Sequence, residues 1–210
     1  MHTWDFLATL ADMDLLLLGL WNTIKVFIFA LAFGIPLGFG LALGRMSRIP
    51  VLSQICSLII EFFRTTPPLV QLFWFFFAFP ILISVQMTPF VASVMTFSIQ
   101  SSAFFAEIFR GGINSIDKGQ WEAAKAIGIP RQSSLRRIIL PQAVKRMIPA
   151  FAERSIELLK TTTLISTVSY ADLMFQANDL ASKTFRPLEV YTVVAVMYSF
   201  LILSFSPLTI

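Results

Sequence analysis

Long apolar runs constrain this chain more than any other feature. Residues 20–43 are apolar apart from their first few positions, and Lys25 is the one charge among them. About 20 such residues cross the hydrocarbon core of a bilayer as a helix, because each residue adds about 1.5 Å. Only 13% of all residues are charged, whereas soluble domains carry about 25%. The sequence therefore predicts an integral membrane protein.

Five crossings fit the apolar runs, after an amphipathic lead-in over residues 1–14. They are predicted at about residues 20–43, 69–83, 89–109, 148–170 and 190–205. Residues 50–85 are too long for one straight crossing, and Pro67-Pro68 interrupts the helical pattern. We therefore expect residues 51–63 to form a separate helix that enters the membrane before the second crossing.

The distribution of basic residues orients the chain. Residues 110–146 contain eight Lys and Arg against Asp117 and Glu122, and Arg45 and Arg48 follow the first crossing. Lys and Arg accumulate in cytoplasmic loops of membrane proteins. The predicted fold class is thus an all-α integral membrane protein, a five-crossing helical bundle with its N-terminus outside and its C-terminus inside. No second domain is evident, so residues 1–210 form one membrane domain.

A polar stretch at residues 117–141 predicts a short cytoplasmic helix. Asp117 can cap the N-terminus of the helix, with Gln120 as its partner three residues later. Gly128 is a typical left-handed C-terminal stop, and Pro130 prevents continuation. A helix of about three turns is too short and too polar to cross a membrane.

Polar residues inside two predicted crossings mark a candidate hydrophilic path. Residues 65–68 leave backbone groups free near membrane depth, which is tolerated where the backbone is buried in protein or lines a cavity. Thr66 and Gln71 belong to this candidate, although a simple kink is an equal alternative. The fourth crossing contains Glu153, Arg154, Glu157 and Lys160, followed by three threonines, Thr161, Thr162 and Thr163. Such charges either line a path or lie below the bilayer. We favour the path for Lys160 and the threonines, and the cytoplasmic side for Glu153 and Arg154.

The chemistry-bearing residues argue against an enzyme. The sequence has no G-x-x-x-x-G-K-[ST] loop for ATP phosphates. One His and one Cys cannot supply a metal cluster or a nucleophile with its base. We therefore expect no cofactor on this chain. The net charge of +4 reflects cytoplasmic loops, so we expect a bilayer as partner and no nucleic acid.

Several separated motifs resemble one transporter family. Glu122-Ala123-Ala124, Gly128 and the sequence Ile138-x-Leu140-Pro141 resemble the EAA motif of ABC importer permeases. The stretches F-R-T-T-P-P-L-V-Q-L at residues 63–72 and A-E-I-F-R-G-G at residues 106–112 resemble the polar amino acid branch of that family. The similarity runs from about residue 20 to residue 198.

This resemblance implies a function and a set of partners. The domain would be a type I importer transmembrane domain of a prokaryotic inner membrane. The short helix would be the coupling helix, which docks into a cleft on an ATP-binding subunit that holds ATP and Mg²⁺. A second permease protomer, identical or homologous, and an extracytoplasmic amino-acid-binding protein complete the assembly. Glu157, Lys160, the three threonines, Thr66 and Gln71 offer acceptors for the ammonium and donors for the carboxylate of an amino acid.

The sequence departs from the pattern of this family at two positions. Thr65 stands where the family commonly has Gly, and Thr161 where it commonly has Asp or Asn, so substrate choice could differ.

Two other functions are alternatives. A self-powered secondary transporter would have paired halves with broken helices, and the sequence has no second half. A structural or signalling membrane protein would not explain why the fourth crossing contains so many polar residues.

Overall fold

A computed structural model describes residues 4–205, and all regular elements in that range are helical. The elements of the first half are α1 (Phe6–Ala11), α2 (Met13–Arg45), α3 (Pro50–Thr65), α4 (Pro68–Phe73), a π-helical turn (Trp74–Ala78), α5 (Phe79–Ile83) and α6 (Pro89–Asn114). Those of the second half are α7 (Lys118–Ala126), α8 (Arg131–Ser134), a π-helical turn (Leu135–Ile139), α9 (Leu140–Thr161), a 3₁₀ segment (Thr162–Val168), α10 (Leu173–Thr184) and α11 (Pro187–Phe205).

Among the residues that the structure describes, three helices are long and apolar enough to cross a membrane, namely Met13–Arg45, Pro89–Asn114 and Pro187–Ser204. The pair Pro50–Thr65 and Pro68–Ile83 makes a fourth if it counts as one broken span. Its two arms are bent by 105°, much more than a simple kink. α9 is not in this apolar set, because its 22 residues include six charged side chains.

Several of the predicted element bounds differ from the structure. The fourth crossing was predicted to begin near residue 148, whereas α9 begins at Leu140. α2 begins at Met13 rather than near residue 20, because Leu16 is buried in a cluster with Leu173 and Val190 that keeps this end folded. α10 lies in a stretch for which the sequence predicted only a loop. Residues 1–3 of the predicted lead-in lie outside the described residues, and Phe6–Ala11 form α1.

The bundle is built on close contact between α2 and α6, which run parallel. The rings of Phe29 and Phe90 meet edge to face at 5.7 Å near one end of the pair. Arg45 and Glu107 form an ion pair at 2.5 Å near the other end. Between them, a Cβ on Gly38 would lie 2.7 Å from both the Phe105 Cβ and a backbone carbonyl of α6. Only a residue without a side chain permits this approach of the two backbones.

An ion network joins α2, α3 and α6 at the end of the bundle that carries Arg45, which we call the basic end. Glu61 lies 3.6 Å from Arg45 and 3.8 Å from Arg64. Glu107 also pairs with Arg110 at 2.7 Å. The i, i+3 pairs within α3 and α6 are as their spacing predicts. Arg45, which the sequence did not connect to either pair, links the two.

At the opposite end, a buried polar junction connects α2 to the start of α10. Asp172 is fully buried, and its Oδ1 accepts a hydrogen bond from the Phe175 amide at 2.8 Å, which caps α10. The Thr23 hydroxyl accepts from the Leu173 amide at 3.1 Å, and Asn22 donates to the Ala171 carbonyl at 2.7 Å. Burial raises the pKa of Asp172 from its ordinary value of 3.8 to about 7, although hydrogen bonds from backbone amides partly oppose the shift.

Substitution of Gly38 by Ala should destabilise the protein by about 1–3 kcal/mol, because the added methyl group would overpack the contact with α6. Gly40 lies on the same helix, and a Cβ added there would meet no atom of the described residues within 4 Å. Gly40→Ala should therefore be neutral or slightly stabilising, since Ala favours helix. Thermal unfolding of the detergent-solubilised proteins measures both. Equal melting temperatures for the two variants would contradict this role of Gly38.

The thermal stability of the wild type should fall as the pH rises from 5 to 8. Between the unfolded pKa near 3.8 and the folded pKa of about 7, the folded state holds a proton on Asp172 that the unfolded state releases. The free energy of unfolding therefore decreases with pH and levels off above pH 7. Asp172→Asn retains the helix cap and should make the melting temperature less dependent on pH.

Asp179→Asn is the control, since Asp179 lies on the surface of the same helix in an ion pair with Lys183. It should keep the wild-type pH dependence. If Asp172→Asn kept the full wild-type slope, another group would be responsible for the titration.

Candidate functional site

The predicted short helix is α7, and both of its ends are capped. Asp117 Oδ1 accepts from the Gly119 amide at 2.7 Å, which confirms the predicted N-cap. Gly128 has φ of 75°, and the Ile129 amide donates to the Ala124 carbonyl at 2.9 Å. The left-handed residue and the hydrogen bond across it are the predicted C-terminal stop. α7 is thus a separate nine-residue rod with fixed ends.

One side of α7 is anchored to the bundle. Ala124 is 2% exposed, and Trp121 packs against a cluster to which α6, the π-helical turn Leu135–Ile139 and α9 contribute (Ile113, Ile116, Ile139, Ala143 and Met147). The Arg131 guanidinium lies 5.9 Å from the centre of the Trp121 ring. Arg146 of α9 donates to the Ser115 carbonyl just before α7. These contacts connect α7 to the end of α6 and the start of α9.

The other side of α7 is free for contact. Glu122, Ala123 and Gly128 are exposed, and Ile127 is 74% exposed at the end of the helix. Of the remaining predicted coupling residues, Pro141 is exposed, whereas Ile138 and Leu140 are half-buried. Ile138 packs against the shared cluster. The predicted coupling residues therefore divide into an outward face and a supporting layer.

The candidate path residues of α9 line an open groove. Glu153, Glu157 and Lys160, with Pro149 and Ile156, surround a volume of about 410 Å³. Glu157 and Lys160 are on the exposed face of the helix. The groove is therefore lined by two carboxylate groups and one ammonium group.

Arg154, which the sequence analysis placed on the cytoplasmic side, is buried within the bundle. It is 5% exposed, with its guanidinium 3.6 Å from the centre of the Phe104 ring of α6. Its Nη1 donates to Glu157 Oε2 at 2.7 Å. A guanidinium tolerates this site because it stacks on an aromatic face while donating at its edge. The i, i+3 spacing predicted the pair of Arg154 with Glu157, but it did not predict that Arg154 is buried.

The three threonines turn their hydroxyl groups to their own helix. Thr161, Thr162 and Thr163 donate to the carbonyls of Glu157, Leu159 and Lys160 at 2.8, 2.6 and 2.9 Å. Thr162 is fully buried, and the other two are half-buried. The oxygen atoms of Thr161 and Thr163 can still accept hydrogen bonds, whereas Thr162 lies inside the core.

Thr66 and Gln71 lie together at the break between α3 and α4. Gln71 is 3% exposed, and its Nε2 donates to the carbonyls of Phe63 and Thr66 at 3.0 and 2.9 Å. Thr66 donates to the Phe62 carbonyl at 2.7 Å. The Gln71 side chain thus bridges the break, because it donates to backbone carbonyls that the 105° bend leaves without helical partners. Leu72 next to it packs with Leu158 and Ile165, so the two halves of the predicted path meet in one core.

Three consecutive polar residues of α6 were not among the predicted site residues. Gln100, Ser101 and Ser102 are all at most 3% exposed, and within the described part of the chain the Gln100 Oε1 and Ser101 Oγ atoms have no hydrogen-bond partner. Buried polar groups without partners are unusual. The polar triplet within an apolar crossing was the signal that could have singled them out. Among the described residues 4–205, no group of three or more His, Cys, Asp or Glu side chains could hold a metal ion.

Comparison with known proteins gives a consistent assignment. Residues 34–209 match the family described as binding-protein-dependent transport system inner membrane component. A probable amino-acid ABC transporter permease protein of Sinorhizobium fredii is 39% identical over 185 residues, 86% of this chain and 78% of that protein. The arginine transport system permease protein ArtQ of Bacillus subtilis is 34% identical over 199 residues, 95% of this chain and 91% of that protein.

Solved structures show the same fold. One chain in the crystal structure of an amino acid ABC transporter with histidines superposes with a TM-score of 0.93 at 36% identity, and covers 99% of this chain and 97% of that chain. A chain of the inward-facing MetNI methionine ABC transporter has a TM-score of 0.75 at 22% identity, with 93% of both chains covered, which bears on the fold alone. The chain therefore belongs to the binding-protein-dependent transport system inner membrane components, among the permeases of amino-acid ABC transporters.

Proposed function

We propose that this chain is the membrane-spanning subunit of an ATP-driven importer of polar amino acids, and that α7 receives the motion of a separate ATP-binding subunit. The observation that carries the proposal is the construction of α7. It is capped at both ends, exposed on one face and packed through Trp121 against the ends of α6 and α9. A rigid element so placed transmits displacement rather than absorbing it.

The proposed topology has five crossings, with the N-terminus outside and the basic end in the cytoplasm. The second crossing is the bent pair, and α9 with its 3₁₀ segment is the fourth. Exposed basic side chains around α7 support this orientation (Lys118, Lys125, Arg131, Arg136, Arg137, Lys145 and Arg146). The cell membrane of a prokaryote, the inner membrane where there are two, is the corresponding location.

The proposed assembly contains two permease protomers, two ATP-binding subunits with ATP and Mg²⁺, and an extracytoplasmic amino-acid-binding protein. Closure of the ATP-binding subunits biases one of two states of the bundle. α7 moves with the end of α6 and the start of α9, because all three contribute to one apolar cluster. The groove on α9 belongs to the element that moves, so its access would change with the state.

In the proposed path, Glu157 and Lys160 recognise the amino acid. The ammonium group of Lys160 is exposed and can meet an α-carboxylate, and the Glu157 carboxylate can accept from an α-ammonium group. The ion pair with Arg154 holds Glu157 in one orientation. The names of relatives include glutamine, arginine and L-cystine transport, which supports a polar amino acid and leaves its identity open.

Charge reversal on the free face of α7 should separate the two subunits. Glu122→Lys alters an exposed side chain, so the fold should persist while docking fails. We expect the copurified ATPase to fall at least tenfold, with an unchanged melting temperature. Asp14→Lys is the matched control, because it makes the same change at an exposed acidic residue of α2 far from the basic end. Copurification and transport at wild-type levels in Glu122→Lys would refute the coupling role.

Loss of either charge in the α9 groove should reduce transport. Glu157→Gln and Lys160→Ala each remove one proposed contact, and each should lower amino acid uptake in proteoliposomes about tenfold, the equivalent of about 1.4 kcal/mol. Substrate-stimulated ATP hydrolysis should fall in parallel. Lys183→Gln, at an exposed lysine of α10, should transport normally. Wild-type uptake and stimulation in both groove variants would exclude this path while leaving the coupling role intact.

A further inference from the structure

A second groove lies on the outside of the bundle, between α2 and α6. Phe29, Phe33 and Leu37 of α2 form one wall, and Phe90, Val94 and Met95 contribute to the other, around a volume of about 480 Å³. Phe29, Phe33 and Leu37 are 44%, 53% and 50% exposed. Both helices are long and apolar enough to cross a membrane, so the groove runs along the direction of the hydrocarbon chains.

The groove continues one row of side chains that also contains a tryptophan and a lysine. Trp21, Lys25, Phe29, Phe33 and Leu37 follow one another at intervals of four residues, which places them along a single ridge of α2. Helical side chains point toward the N-terminus of their helix. The Lys25 side chain therefore points away from the groove and toward Trp21, which is 56% exposed.

The position of Lys25 along α2 corresponds to the level of lipid headgroups. Lys25 and Arg45 are 20 residues apart in one continuous helix, which is about 30 Å at 1.5 Å per residue and equals the thickness of the hydrocarbon core. Arg45 lies in the ion network at the basic end. Lys25 thus lies at the opposite interface, where exposed Trp side chains such as Trp21 are favoured.

Lys25 has no ion-pair partner within the described part of the chain, and it is half-buried. A second source of positive potential lies close by. The contact between Phe29 and Phe90 at 5.7 Å places the N-terminus of α6, at Pro89, about one turn from Lys25. The N-terminal end of a helix carries a partial positive charge. The end of the groove near Phe29 and Phe90 is therefore flanked by an ammonium group and by the positive end of a helix dipole.

We propose that this groove binds one acyl chain of an anionic phospholipid whose phosphate contacts Lys25. A phospholipid matches this ridge along its length. Its charged headgroup lies at the interface, at the level of Lys25, and its hydrocarbon chain lies beside the apolar side chains of the ridge. A net negative headgroup is favoured over a zwitterionic one, because the latter brings its own cation to an already positive site. A basic residue near an anionic membrane surface contributes about 1 kcal/mol, so we expect about a fivefold preference.

Photoactivatable lipids test the proposal in the intact transporter complex. The complex is reconstituted in vesicles that contain a trace of phosphatidylglycerol or phosphatidylcholine, each with the same diazirine-labelled acyl chain. After irradiation, peptide mass spectrometry maps adducts on residues 26–45 and 89–99. Wild-type protein should show about five times more adduct with phosphatidylglycerol. This ratio should fall to about one in Lys25→Gln and persist in Lys25→Arg.

Lys183→Gln controls for loss of a positive charge elsewhere, since Lys183 is an exposed lysine of α10 that pairs with Asp179. Its adduct ratio should equal that of the wild type. Equal labelling by the two lipids in the wild type would overturn the proposal, as would a ratio that Lys25→Gln leaves unchanged. Absence of adducts from both lipids would also overturn it, by showing that protein covers this face.

Discussion

The approach of α2 to α6 is the contact on which the rest of the bundle depends. Small residues bring the two backbones together, and Gly38 leaves no room for even a methyl group against Phe105. Phe105 also stacks on Phe151 of α9 at 5.1 Å, so the same helix positions α9. The ion network through Arg45 then attaches α3 to this pair. In lipid, where the hydrophobic effect does not drive helices together, such close packing and polar contacts hold a bundle.

The bundle has two ends of different character. At the basic end, charged side chains join α2, α3 and α6, and one apolar cluster joins α6 and α9 to α7. At the opposite end, the Thr23 hydroxyl accepts from the Leu173 amide and Asn22 donates to the Ala171 carbonyl, and these hydrogen bonds fix the start of α10. A displacement of α7 therefore acts first on α6 and α9, while α2 is held to the start of α10 at the opposite end. This arrangement favours rotation of the helices as rigid bodies over local deformation.

Local features were the most predictable from the sequence. The cap at Asp117, the stop at Gly128 and the i, i+3 pair of Glu107 with Arg110 depend on residues a few positions apart, and the structure confirms them. The break at Pro67-Pro68 was predictable from the missing amide donors, but its 105° angle was not. The Gln71 side chain donates to two carbonyls across the break, a contact that a local sequence pattern does not reveal. The burial of Arg154 depends on Phe104 of a distant helix, and α10 on its cluster with α2 and α11, so neither was visible in a local pattern.

The buried guanidinium of Arg154 also bears on how the protein is made. In the proposed topology the part of α9 that crosses the bilayer carries four charged residues, Glu153, Arg154, Glu157 and Lys160, and each such residue near the centre of a helix opposes insertion by about 2.5–3.5 kcal/mol. α9 alone would be a poor substrate for the insertion machinery. Stacking of Arg154 on the Phe104 ring of α6 would lower this cost if α6 were already in place when α9 is inserted. Biogenesis of this permease would then proceed by docking of α9 onto α6, and not by independent partitioning of each helix into lipid.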